Sequence, residues 1–172
     1  MVRLRVRYRQ HLLYFSWSGV TALSMHHSLD LPTCLLVEDS DEDADTVAEA
    51  FRRCGIPGRL HRVTNGDECL ALLQGAGATQ PPALVLMDLS TPGMDGRNAL
   101  RQIKENDKLK SIPVVVTSAS ANPRDLEFCY SAGANAYHVK PVSHPHHLNA
   151  MTQLLQYWLG AVALPAYRVP TA

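Results

Sequence analysis

The sequence predicts an α/β chain, a doubly wound five-stranded parallel sheet with helices on both faces, and three observations carry that reading. From residue 33 onward, short apolar runs alternate with helical patterns, as repeated βα units do when a parallel sheet is buried on both faces. Five such units can be counted. Turn formers punctuate them, among them Gly55, Pro57, Asn65, Gly66, Pro92, Gly93 and Gly133.

The first strand is read over residues 34–37, and a helix over 44–53 follows it and stops at Gly55 and Pro57. The second strand is 59–63. Asn65 and Gly66 turn the chain into a helix over 67–73, and a loose segment rich in Gly, Ala and Pro, 74–82, leads to the third strand, 84–87. The loop Thr91-Pro92-Gly93-Met94-Asp95-Gly96 precedes a helix near 97–104, and the fourth strand is 114–117. Pro123 opens the next helix at its first turn, and Gly133 ends it. The fifth strand is 136–139. Ser143 is expected to cap a last helix that carries Leu148, Met151, Leu154, Leu155, Trp158 and Leu159 on one stripe. Right-handed crossovers then give the flavodoxin-like order 2-1-3-4-5, in which ligands bind outside the carboxyl ends of the first and third strands.

A chain of 172 residues suits one domain with extensions. We divide it into an N-terminal extension (1–32), read as disordered or a start-site artefact, a folded domain (33–158) and an apolar tail (159–172). The formal net charge is +0, but residues 1–29 hold Arg3, Arg5, Arg7 and Arg9 and no acid, which leaves 12 basic and 16 acidic groups in the rest. A domain of net charge −4 gives no reason to expect nucleic-acid binding. The apolar stretch after the arginines is broken by Ser16, Ser18 and Gly19 and is too short for a membrane span, so no membrane partner is expected. Cys34, Cys54, Cys69 and Cys129 sit singly without metal-ligand spacing, as in a protein of a reducing cytoplasm. His138, His144, His146 and His147 lack a strict helical pairing, with Pro145 in the run, and are not read as a metal site.

At the carboxyl ends of the strands stand Glu38 and Asp39, Asp88, Thr117 and Ser118, and Lys140. Carboxylates packed together repel one another and need a cation or a lysine for compensation. Hard oxygen ligands suit Mg²⁺, which takes one or two carboxylates together with phosphate oxygens. Such a pocket is built for a phosphoryl group on a carboxylate. Asp41, Glu42, Asp43 and Asp45 are read as a solvated acidic helix start.

The segments Leu35-Leu36-Val37-Glu38-Asp39, Leu86-Met87-Asp88-Leu89, Pro92-Gly93-Met94-Asp95-Gly96, Ile112-Pro113-Val114-Val115-Val116-Thr117-Ser118 and Tyr137-His138-Val139-Lys140-Pro141 together resemble a two-component response-regulator receiver domain. The resemblance covers residues 33–158, and its specificity lies in joint spacing, with Ser118 30 residues and Lys140 52 residues after Asp88. It implies that Asp88 is the phosphoacceptor of a partner histidine kinase, and that Glu38, Asp39, Asp88 and the Ser90 carbonyl hold Mg²⁺. Lys140 compensates the charge, Ser118 is the switch hydroxyl and Tyr137 the switch aromatic. The family also implies a cis peptide before Pro141. On this reading, replacing Lys140 by Ala leaves the fold largely intact.

The enlarged loop 74–82 and the long last helix with its apolar tail resemble the small stand-alone regulators paired with phytochrome-type histidine kinases. Output is then by protein contact with a downstream target, without nucleic acid, and the surplus apolar stripe implies a homodimer. The chain is read as a phosphoacceptor with self-dephosphorylation rather than as an enzyme. Two alternatives stand beside it: a pseudo-receiver scaffold that is never phosphorylated, and a haloacid-dehalogenase-like phosphatase. The second needs an aspartate two residues after the nucleophile, where Ser90 stands.

Overall fold

A computed structural model describes residues 12–14, 33–75 and 81–165, the first of these as backbone. Its elements are β1 (Leu12–Tyr14), β2 (Thr33–Val37), α1 (Asp41–Cys54), β3 (Arg59–Val63), α2 (Gly66–Gln74), β4 (Leu84–Asp88), α3 (Gly96–Glu105), β5 (Val114–Ser118), α4 (Pro123–Ser131), β6 (Ala136–Val139) and α5 (His144–Leu155). A π-helical turn, Gln156–Ala161, continues α5.

The sheet order is β1-β3-β2-β4-β5-β6. The five parallel strands β3-β2-β4-β5-β6 reproduce the expected order 2-1-3-4-5. A sixth strand was not expected: β1, from within the N-terminal extension, pairs antiparallel with β3, placing Leu12 against His61 and Tyr14 against Arg59. The gain is hydrogen-bonding for the outward ladder groups of β3, which would otherwise form the sheet's edge. The rest of residues 1–32, most of the loop 74–82 and residues 166–172 lie outside the described residues.

Successive strand residues point to opposite faces, so two cores form. Leu35, Val37, Val85, Met87, Val114 and Val116 meet Cys69 and Leu70 of α2, Leu100 and Ile103 of α3, and Cys129 of α4. Cys34, Leu36, Leu84, Leu86 and Val115 meet Val47, Ala50 and Phe51 of α1 and Leu148, Met151 and Leu155 of α5. Burial on both faces explains why these strands read as unbroken apolar runs. Leu154, Trp158 and Leu159 pack partly buried against the second core, so much of the apolar stripe after α5 is used within the chain itself. The four cysteines are free thiols, and burial pushes Cys69 up to about 12 and Cys129 up to about 11.

Side-chain caps extend the helices beyond their apolar periodicity. Ser40 accepts from the Asp43 N–H and starts α1 three residues before Ala44, and Gly55, at φ 67°, ends it. Asn65 and Asp95 cap α2 and α3 in the same way. Ser143 occupies the cap position of α5, but its hydroxyl makes no capping bond; Pro145 in the first turn lacks an N–H and so removes one donor from the set needing a cap.

The Nε2 atoms of His138 and His147 are buried with no hydrogen-bond partner. Burial holds both below the ordinary histidine value, reinforced for His138 by His147 and opposed for His147 by Asp43. Unfolded histidines gain protons near 6.5, whereas the folded ones resist. Their stabilising contribution is therefore complete above that value and is lost as the pH falls through the lower folded values. Urea unfolding at roughly pH 7.5 and 5.5 should show a loss of stability on acidification, and His147→Phe should flatten it.

Candidate functional site

The site gathers where β2, β4, β5 and β6 end on one rim of the sheet. After β2 the chain turns inward: the Glu38 N–H donates to Val63 O at 3.0 Å, and the Ser40 N–H donates to Glu38 Oε1 at 3.1 Å. Arg62 of β3 clamps this turn, donating to Glu38 O (2.9 Å), Asp39 O (2.9 Å) and Asp41 Oδ1 (2.7 Å). β4 ends at Asp88, whose Oδ1 accepts from the Ser90 N–H at 2.9 Å. β6 delivers Lys140, whose backbone N–H donates to Ser118 O at 2.7 Å. Among the described residues there is no cis peptide bond, so the bond before Pro141 is trans, contrary to the expectation; trans is the lower-energy form for X–Pro as well.

Lys140 Nζ donates to Glu38 Oε2 at 2.7 Å, Asp43 Oδ2 at 2.7 Å and Asp88 Oδ2 at 2.8 Å. The side chains of Lys140, Glu38 and Asp88 are only 9%, 2% and 10% exposed, so these are desolvated ion pairs rather than surface contacts. Burial works against the ammonium, but Asp43, Asp88 and Glu38 outweigh it and hold Lys140 above the ordinary lysine value. Burial raises Glu38, with Lys140 pulling it back. The three carboxylates offer oxygens within 4.8 Å of one another, a hard, anionic donor set that one lysine only partly neutralises and that fits a small divalent cation such as Mg²⁺.

Of the residues named from the sequence, Glu38, Asp88 and Lys140 come together. Asp39 does not join them: its side chain is exposed, and its described contact is the carbonyl bond from Arg62. Asp43, read as a solvated helix residue, instead lies half-buried against Lys140. Its correction is physical, because the cap at Ser40 starts α1 early and sets Asp43 in the first turn above the strand ends. Nothing in residue type separates Asp43 from its exposed neighbours Asp41, Glu42 and Asp45.

Ser118 ends β5 and is buried; its Oγ accepts from the Ser120 N–H at 3.2 Å. Thr117 is buried one position earlier, in register with Asp88. Tyr137 is half-buried on β6, and its hydroxyl donates to Ser120 O at 2.8 Å. Ser120 thereby joins the two expected switch residues, a role the sequence did not suggest. The Ser120 hydroxyl also donates to Asp125 Oδ2 (2.6 Å), Arg97 donates to Asp125 Oδ1 (2.8 Å), and Arg97 bonds Asp95 at the start of α3. The Ser120 hydroxyl and Arg97 hold the Asp125 carboxyl below the usual carboxylate range.

Gly96 lets α3 approach the end of β4, its N–H donating to Leu89 O at 3.2 Å. A Cβ here would collide with the Asp88 carbonyl oxygen and stand 2.9 Å from the Leu89 Cα. Gly96→Ala should therefore cost about 2 kcal/mol in unfolding free energy. It should also displace Asp88, seen as a weaker response to divalent cations.

A family model for the response regulator receiver domain matches residues 34–153. The chain is 38% identical over 128 residues to a probable methanogenesis regulatory protein, FilR2, of Methanothrix harundinacea, covering 73% of this chain and 83% of that one. It is 36% identical over 135 residues to the response regulator Rcp1 of Synechocystis sp., covering 77% and 92%. Among solved structures, the Mn²⁺-bound form of Rcp1 matches with TM-score 0.75 at 36% identity, covering 78% of this chain and 99% of that one. The phosphorylated cyanobacterial phytochrome response regulator RcpA matches with TM-score 0.75 at 33% identity, covering 79% and 99%.

Proposed function

Because the chain belongs to the response regulator receiver family, we propose that it accepts a phosphoryl group on Asp88 from the phosphohistidine of a histidine kinase and signals by protein contact. The observation that carries this reading is Asp88 itself, a nearly buried carboxylate with one oxygen on Lys140 and the other on the Ser90 N–H. A carboxylate oxygen of Asp88 attacks phosphorus, the P–N bond of the donor breaks, and its electron pair returns to the imidazole. Little covalent assistance is needed; alignment and charge neutralisation suffice. Lys140 stands within reach of the oxygens that accumulate charge. Glu38, Asp39, Asp88 and the Ser90 carbonyl would hold Mg²⁺, which when bound would offset phosphoryl charge.

On phosphorylation Ser118 turns toward the new oxygens, loosening its bond with Ser120 and with it the Tyr137 hydroxyl. The surface of α4, β6 and α5 changes as a unit. We assign the kinase to the phytochrome type, on the strength of the relatives' likeness over nearly their whole length. Free, buried thiols suit the cytoplasm, and no described helix is long and apolar enough to cross a membrane. Self-dephosphorylation limits the lifetime of the signal. Incubation with acetyl phosphate and Mg²⁺, followed by mapping of the modified residue, tests the reading. No adduct at Asp88, from this donor or from any phytochrome-type kinase, would refute it.

The same reading gives a two-fold dimer on that surface, where Tyr130, Val139 and Val142 are exposed, with Tyr157 beyond α5. Sedimentation at micromolar concentration should show a dimer for the full chain and a shift toward monomer for Val142→Asp. Monomers throughout, with and without a phosphoryl mimic, would exclude it.

A further inference from the structure

We propose that Asp43 is a positioning residue of the phosphoacceptor pocket, acting through Lys140; the proposal deepens the reading of Asp88 and rests on it. An ammonium has three N–H bonds, and Lys140 gives one each to Glu38, Asp43 and Asp88. When Asp88 becomes an acyl phosphate its carboxylate charge disappears, and the N–H formerly given to it is free for a phosphoryl oxygen. Glu38 and Asp43 keep their charges. They form a two-carboxylate cradle, one arm from the end of β2 and one from the first turn of α1, that keeps the third N–H aimed at the reacting group.

Asp43 is itself fixed. Its Oδ2 is on Lys140, its Oδ1 lies 3.8 Å from His147 Nδ1 of α5, and its N–H is tied to the Ser40 cap. Its neighbours Asp41, Glu42 and Asp45 are exposed, so general negative charge on α1 does not explain the contact.

Two measurements on the full chain test the assignment. In the first, Lys140 is modified by an amine-acylating reagent and the rate is followed by peptide mass mapping. Lys140 should be protected in the wild type and react several-fold faster in Asp43→Asn, but not in Asp45→Asn, which makes the same charge change on an exposed position. An unchanged rate in Asp43→Asn overturns the proposal, and this readout needs no phosphorylation, so it separates failure here from failure of the Asp88 reading. In the second, labelling of Asp88 by acetyl phosphate should slow by about tenfold in Asp43→Asn, as loss of alignment does. It should recover in part in Asp43→Glu. In a Lys140→Ala background the substitution should make no further difference, because the two residues act as one. An equal slowing in both backgrounds would show that Asp43 acts on the cation or the fold directly, and would overturn the proposal.

Discussion

Asp88→Asn should take up no phosphoryl group from acetyl phosphate and Mg²⁺, while remaining folded and as stable as the wild type or more so. The amide of Asn lacks the charged nucleophile, and among the described residues no other carboxylate has the same placement: Glu38 is tied by both oxygens, to Ser40 and Lys140. Stability is preserved because three carboxylates share one ammonium, and removing one relieves repulsion while Lys140 keeps Glu38 and Asp43. A gain of up to about 1 kcal/mol is reasonable for relief of that kind. Intact mass after incubation, together with urea unfolding, checks both halves. An adduct persisting in this variant would mean that the nucleophile lies elsewhere.

Lys140→Ala should be the more damaging substitution for the fold, a reversal of what the sequence implied. From sequence alone, removing Lys140 was expected to cost charge compensation in the site but little packing. Among the described residues Lys140 is the one ammonium bonded to all three crowded carboxylates, two of them desolvated. Breaking a buried pair by deleting one partner costs about 3 kcal/mol or more, and Glu38, already raised by burial, would then be driven toward its neutral form. Uptake of phosphate should fall by about a hundredfold, the scale on which a single charge-stabilising group usually counts. Part of the lost stability should return with millimolar Mg²⁺, as the cation replaces the ammonium among the carboxylates. Unfolding curves with and without Mg²⁺ decide this, and a variant as stable as the wild type in the absence of Mg²⁺ would show that the pocket does not depend on its lysine.

The order of the parallel strands and the convergence of Glu38, Asp88 and Lys140 were legible because unbroken apolar runs fix where strands end, and the switch in strand order fixes which ends are neighbours. Ser118 and Tyr137 were singled out by resemblance alone. What could not be read was anything set by a side chain's direction. Asp43 and Asp39 are both acids near the start of α1, and only the Ser40 cap and the Arg62 clamp turn one toward Lys140 and leave the other in solvent. Ser120 is one of several serines in its region, and its role rests on two backbone bonds that no side-chain pattern encodes. The strand β1 escaped because its three residues sit among arginines and loop-forming residues, and its partners in β3 lie 45 to 49 positions away.

That strand also bears on how the molecule keeps to itself. Without it, the rim of the sheet would be β3, five residues long and parallel to its inner neighbour, a template to which another chain could add. With it, the rim is three residues long and runs the other way. Deleting residues 1–14 would remove the guard altogether, and the shortened chain should stack edge to edge into oligomers more readily than the full one.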